Sequence, residues 1–106
     1  MDKIEILKTR FLRYASVPTQ SDPTTPNVPS TEGQRDLANM LASELKEMGL
    51  CDVSVDEHAI VYATLKANAQ GPVLGFVSHL DTVNVSLSPV VKPQILKYEG
   101  GDVLLN

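Results

Sequence analysis

The chain has 106 residues, of which 42% are hydrophobic and 21% charged, as in an ordinary soluble domain. Its net charge of −4 is spread without basic blocks, which argues against nucleic acid or an anionic membrane as a partner. No apolar run approaches the roughly 20 residues of a membrane span. A charged start and a single cysteine, Cys51, add no sign of secretion or of an internal disulfide, so we expect a cytoplasmic protein.

A first helix is predicted over residues 3–15. Apolar residues recur there at spacings of three and four, as on one face of a helix: Ile4, Leu7, Phe11 and Tyr14. Residues 18–29 contain four prolines, which a helix or a central strand does not tolerate. We therefore expect a surface loop after the first helix.

A second helix is predicted to begin near Ser30 and Thr31. Thr31 and Gln34 have the spacing of a capping box, in which each side chain bonds the other's free backbone N–H. Gly49 suits the end of this helix, because glycine adopts a left-handed conformation at little cost. The apolar face between these ends consists of Leu37, Leu41, Leu45 and Met48, widened by Met40.

Two short strands are predicted next, joined by a polar turn. Residues 51–56 alternate strictly between apolar and polar, which is typical of a strand with one buried face. Residues 56–58 form the turn, and residues 60–65 are rich in β-branched and aromatic side chains. Residues 67–72 then have the composition of a loop.

Residues 73–77 are apolar at every position. Such a run is typical of a strand that is buried on both faces, in a parallel sheet covered by helices. The pattern therefore favours an α/β fold. Because two helices and two other strands would leave faces of that sheet uncovered, and because the apolar run 103–105 stops at Asn106, we expect the chain to be part of a larger protein.

His79 and Asp81 follow directly on this predicted strand. In extended backbone, side chains at positions i and i+2 point the same way, and the C-terminal ends of strands in open α/β sheets are common ligand sites. Neutral histidine is a common zinc ligand, and a carboxylate often holds its imidazole in place. A histidine that merely caps the strand and bonds a neighbouring aspartate fits the spacing equally well.

Several blocks of the sequence, in order, resemble the peptidase T family of tripeptide aminopeptidases, which belongs to the di-zinc M20 metallopeptidases. The strongest are residues 29–34, 47–50 and 75–82. Residues 10–14, 19–21 and 100–102 look similar to the same family, and residues 22–28 are the least similar stretch. The resemblance therefore covers almost the whole chain.

The resemblance implies a zinc ligand at His79 and, at Asp81, a candidate catalytic residue that orients its imidazole. It implies that residues 1–106 are the N-terminal portion of a catalytic domain with a mixed, largely parallel sheet flanked by helices. The remaining ligands, a general base and a lid domain used for dimerisation would lie outside this chain. The complete enzyme would be a homodimer with two Zn²⁺ per active site, releasing the N-terminal residue of tripeptides. One ligand is too few for a catalytic zinc site, so we expect the 106 residues alone to be inactive.

Two other functions fit the same residues. One is a binding module that kept the start of this fold and lost catalysis. The other is an M20 relative that acts as a dipeptidase or a deacylase. We expect His58 to be a solvated turn histidine and Cys51 to pack as a small apolar residue, while Asp102 closes a turn after two glycines.

Overall fold

The computed structural model describes residues 2–85 and 88–105. Two helices and two strands follow one another along the chain: α1 Lys3–Ala15, α2 Glu32–Glu47, β1 Cys51–Val55 and β2 Val61–Thr64. Each lies within two residues of its predicted bounds. The local patterns of the sequence therefore locate all four elements.

The N-terminus of α2 is built differently from the predicted capping box. Thr31 is the N-cap, but its side chain caps no backbone N–H of the helix. Its hydroxyl instead donates to the carbonyl oxygen of Gln20 at 3.0 Å. The Gln34 amide donates to the hydroxyl oxygens of Thr31 at 3.1 Å and Ser30 at 3.0 Å. The predicted capping box is thus wrong: the hydroxyl oxygen of Thr31 accepts from the side-chain amide of Gln34 and from no backbone N–H of the helix.

The C-terminus of α2 adopts the left-handed turn that the sequence predicts. Met48 is the C-cap, and Gly49 follows with φ +86°. The N–H of Gly49 bonds the carbonyl of Lys46 at 2.9 Å, and the N–H of Leu50 bonds that of Leu45 at 3.1 Å. These two bonds satisfy carbonyls that the helix leaves without an internal partner.

The two strands form an antiparallel hairpin. Cys51 pairs with Thr64 and Val55 with Val61, with a bulge between Cys51 and Ser54. A short turn reverses the chain, so the N–H and C=O groups of the two consecutive strands lie side by side in antiparallel order.

The turn of the hairpin is organised by Asp56. Its carboxylate accepts from the backbone N–H groups of Ile60 and His58, both at 2.9 Å, and from the Tyr62 hydroxyl at 3.3 Å. The bond from Ile60 is the main cause that lowers the pKa of Asp56 below its ordinary value. The predicted polar turn is therefore confirmed, with the aspartate as its centre.

A small core lies between α2 and the hairpin. Leu37, Ala38 and Ala42 of the helix are buried together with Ala59 of the turn. Leu37 keeps only 6% of its surface exposed. This core fixes α2 against β1 and β2, and it therefore also fixes the position of the N-terminus of α2 relative to the hairpin.

The first helix is attached to α2 by a polar cluster instead of an apolar one. Glu44, which is 8% exposed, accepts from Arg10 Nε and Arg13 Nη2, each at 2.5 Å, and from the Tyr14 hydroxyl. Burial acts to raise the pKa of Glu44, but hydrogen bonds from Tyr14, Arg10 and Arg13 outweigh it and lower the pKa. Burial, followed by the bond to Glu44, raises the pKa of Tyr14.

The apolar face predicted for α1 is present but uncovered. Ile4, Leu7 and Phe11 are all exposed, and none of the thirteen helix residues, each of which the structure describes, is buried. The spacing thus predicts the helix correctly, but Ile4, Leu7 and Phe11 of its apolar face stay exposed, while Tyr14 contacts Glu44 of α2.

Residues 73–77 do not form the predicted buried strand. No strand is assigned there in the described part of the chain, and side chains along the run are exposed, with Val77 at 101%. The sheet that exists has two antiparallel strands, so the mixed, largely parallel sheet is not confirmed. A strand forms only where a neighbour accepts its backbone hydrogen bonds, and the hairpin supplies none to this run.

Among residues 2–85 and 88–105, no helix has the length and apolar character that crossing a membrane requires.

Candidate metal centre

His79 and Asp81 lie outside any helix or strand, just after residues 73–77. The Nδ1–H of His79 donates to Oδ1 of Asp81 at 3.0 Å. The imidazole is 81% exposed and the carboxylate 42% exposed, so both side chains are open to solvent. The structure thus brings together the two residues that the sequence singled out.

This hydrogen bond fixes the chemistry that the imidazole can offer. With its proton held on Nδ1 by the carboxylate, neutral His79 carries its free lone pair on Nε2. A lone pair on an exposed Nε2 is a suitable zinc ligand, and a carboxylate on the opposite nitrogen fixes the tautomer and the ring orientation. The pair therefore fits one ligand of a zinc site.

The described residues do not assemble a complete metal site. Within residues 2–85 and 88–105, no group of three or more histidine, cysteine, aspartate or glutamate side chains is placed to hold an ion. A catalytic zinc site has about three protein ligands. His79 accordingly fits such a site as one member of a larger set.

The chain directly after Asp81 is held by the loop that follows α1. Gln20 and Thr82 form a single parallel bridge. The N–H of Thr82 bonds the carbonyl of Thr19 at 3.0 Å, and the N–H of Ser21 bonds the carbonyl of Thr82 at 2.9 Å. The amide of Gln20 adds a bond to Asn84 at 2.5 Å. We call residues 18–21 the bridging segment.

The bridging segment rests in turn on the first turn of α2. A Cβ atom placed on Gly33 would lie 1.7 Å from the carbonyl oxygen of Pro18 and 2.8 Å from its carbonyl carbon. Only glycine permits this approach. Thr19 is buried here, and Thr31 bonds the carbonyl of Gln20 at 3.0 Å. Residues 18–29 thus form the predicted loop, which is largely at the surface, while Thr19 of the bridging segment is packed.

An open cavity of about 360 Å³ lies beside His79 and Asp81. His79 and Asp81 line one side of it, and Gln34, His58 and Tyr62 line others. His58 is exposed, and its Nδ1 lies 3.4 Å from the carbonyl oxygen of Val28. That contact and its exposure agree with the expected solvated turn histidine.

The remaining residues considered from the sequence lie away from this pair. Cys51 begins β1 and is partly buried. Asp102 follows Gly100 and Gly101, whose φ angles of +101° and +81° form a turn as predicted. Neither lines the cavity.

Sequence reasoning missed the contribution of the bridging segment. Its contact with Thr82 joins residues about 60 positions apart, and a hydrogen bond between backbone groups leaves no mark on residue types. Gly33 gave the only local signal. A glycine in a helix costs about 1 kcal/mol relative to alanine, so its presence suggests that another part of the chain approaches closely there.

No model of a known protein family matches the chain. It is 50% identical over 103 residues to a peptidase T-like protein of Yersinia pestis. The aligned residues cover 96% of this chain and 25% of that protein. Peptidase T of Geobacillus thermodenitrificans is 51% identical over 100 residues, covering 92% of the chain and 24% of the relative. The chain is a homologue of peptidase T. It spans about a quarter of the length of these relatives, and the same holds for peptidase T of Bacillus velezensis, at 48% identity over 107 residues and 26% of its length.

Proposed function

We propose that the full-length protein containing this chain is a zinc-dependent aminopeptidase that releases the N-terminal residue of tripeptides. The observation that carries the proposal is the 3.0 Å bond between His79 Nδ1 and Asp81 Oδ1, in a chain about half identical to proteins named peptidase T. The names of those relatives support a peptidase, and the chemistry of the pair supports zinc.

In this proposal the two residues have separate roles. Asp81 holds the proton of His79 on Nδ1 and limits rotation of the ring, so that Nε2 faces the ion. Zinc, when bound, supplies a Lewis acid that polarises the scissile carbonyl and lowers the pKa of water. The exposure of His79 leaves its Nε2 accessible to an ion that other residues also bind.

The proposal requires residues that this chain does not contain. Further ligands, for two Zn²⁺ in all, and a general base would come from the rest of the full-length protein, as would a lid domain that makes it a homodimer. The rest of the full-length protein would also supply neighbouring strands for residues 73–77. The apolar side chains of this run are exposed in the described part of this chain.

The test measures release of N-terminal residues from tripeptides by the full-length protein. Removal of metal with a chelator is expected to abolish the activity, and Zn²⁺ to restore it. His79→Ala is expected to lower kcat/KM by about 10³-fold or more, equal to roughly 4 kcal/mol of transition-state stabilisation. His58→Ala is the matched control, because this histidine lines the same cavity without a carboxylate bonded to Nδ1. Activity that survives complete removal of metal would overturn the proposal.

Two rival functions are separated by simple observations. A binding module is favoured if the gene stops after Asn106, whereas continuation into further carboxylates and histidines favours the enzyme. A dipeptidase or deacylase is favoured if the metal-dependent activity is found on dipeptides or N-acyl amino acids and not on tripeptides.

A further inference from the structure

We infer that the bridging segment, seated on Gly33 and Thr31 at the start of α2, positions His79 and Asp81 for metal binding. Gly33 and Thr31 are then positioning residues for a site they do not touch. The inference rests on the proposed function, because it concerns the ion that His79 would bind.

The first step is the bond from Thr82 to Thr19. The N–H of Thr82 belongs to the peptide unit that joins Asp81 to Thr82, so its 3.0 Å bond to the Thr19 carbonyl fixes the plane of that unit. The carbonyl of Thr82 accepts from the N–H of Ser21 at 2.9 Å and from its hydroxyl at 3.2 Å. Both backbone groups of Thr82 are therefore held, and the backbone of Asp81 has little freedom left on that side.

The second step is the bond from Asp81 to His79. A fixed Asp81 backbone limits where its carboxylate lies, and Oδ1 bonds Nδ1 of His79 at 3.0 Å. The histidine ring is 81% exposed, so this bond and the backbone provide most of its orientation. Disturbance of Thr82 is thereby passed to the imidazole through one intervening side chain.

The third step is the seat of the segment on α2. The helix is fixed by the core around Leu37 and Ala38, so it is a firm support. Gly33 lets the Pro18 carbonyl approach to where a Cβ would be 1.7 Å away, and the Thr31 hydroxyl holds the Gln20 carbonyl at 3.0 Å. These contacts connect the core to the extended region that carries the metal-ligand pair.

The direct test is Gly33→Ala in the full-length protein. The added methyl overlaps the Pro18 carbonyl and must displace the bridging segment, although alanine favours the helix itself. We expect zinc affinity and kcat to fall about tenfold or more, as for other residues that orient a ligand, with KM little changed. Gly71→Ala is the matched control, because a Cβ there has no atom within 4 Å.

A second variant covers the case in which Gly33→Ala folds poorly. Thr31→Val keeps the shape of the side chain and removes the hydroxyl that bonds Gln20, while Thr31→Ser retains it. We expect Thr31→Val to weaken zinc binding severalfold, measured by competition with a chromogenic chelator, and Thr31→Ser to restore it.

The outcomes separate this inference from the proposed function. If the unaltered protein neither binds zinc nor cleaves tripeptides, the proposed function fails. If it does both, while Gly33→Ala and Thr31→Val keep its zinc affinity and kcat, the positioning inference is overturned. Loss of zinc affinity in both, with normal circular dichroism and normal behaviour of Gly71→Ala and Thr31→Ser, supports it.

Discussion

The α2–hairpin region and residues 73–105 both contain many apolar residues, yet they end in opposite states. Around α2, Leu37 and its neighbours are buried against the hairpin. Among residues 73–85 and 88–105, most apolar side chains are exposed, and the described backbone makes few hydrogen bonds beyond those of Thr82. An apolar pattern therefore indicates which surface favours burial. Whether that surface is buried depends on which other residues of the protein pack against it.

The comparison is tested most strongly by one leucine from each region. Leu37→Ala in the full-length protein is expected to cost about 3 kcal/mol of unfolding free energy, since it leaves a cavity in a closed core. Leu74→Ala is expected to cost about 2 kcal/mol, although Leu74 is 76% exposed here, because the proposal places neighbouring strands over it. Urea denaturation of both variants measures the two costs. No loss for Leu74→Ala would show that residues 73–77 remain uncovered in the complete protein.

A smaller effect is expected where α1 joins the packed region. Glu44→Gln removes the charge that Arg10 and Arg13 bind, and we expect a loss of about 1.5 kcal/mol at pH 7, as for a charged hydrogen bond. Glu47→Gln is the control, since that carboxylate is exposed on the same helix.

The Glu44 variant also predicts a pH dependence with a definite sign. The pKa of Glu44 is lowered in the folded protein, so its contribution is complete above the unfolded value of about 4.3. It is lost as the pH falls through the lower folded value. The difference in stability between the unaltered protein and Glu44→Gln should therefore shrink below about pH 4, and a constant difference down to pH 2 would contradict this account.

The smallest expected effect concerns His79 and Asp81, the proposed zinc ligand and its partner. Asp81→Ala is expected to weaken zinc binding about tenfold, or roughly 1.4 kcal/mol, because His79 keeps its Nε2 but loses the partner of its Nδ1. The fold should be unchanged. Asp102→Ala, in the turn after Gly101, is the control, and equal zinc affinity in both variants would remove Asp81 from the site.

Local patterns predicted the parts of the fold that local forces decide. Spacing located α1, alternation located β1, and a glycine marked the left-handed turn after α2. The bond between His79 and Asp81 could be predicted for the same reason, because the two residues are only two positions apart in the sequence.

What failed or was missed depends on partners distant in sequence. The strand at residues 73–77 needs neighbours that the hairpin does not supply. Thr31 was predicted to belong to a capping box, but its hydroxyl accepts from the Gln34 side chain and donates to the Gln20 carbonyl, which the sequence could not place beside it. The bridging segment pairs with Thr82 through backbone groups that every residue type carries.

The exposed run at residues 73–77 has a consequence for synthesis of the protein. If the neighbouring strands of the proposed full-length protein lie later in the chain, the segment would leave the ribosome before them, at about 5–20 residues per second, and a β-prone apolar stretch can then associate with a second nascent copy. Pro72 at its start lacks an N–H, and Gly75 in its middle has low strand propensity. These two residues would lower the tendency to aggregate until the proposed neighbouring strands cover the segment.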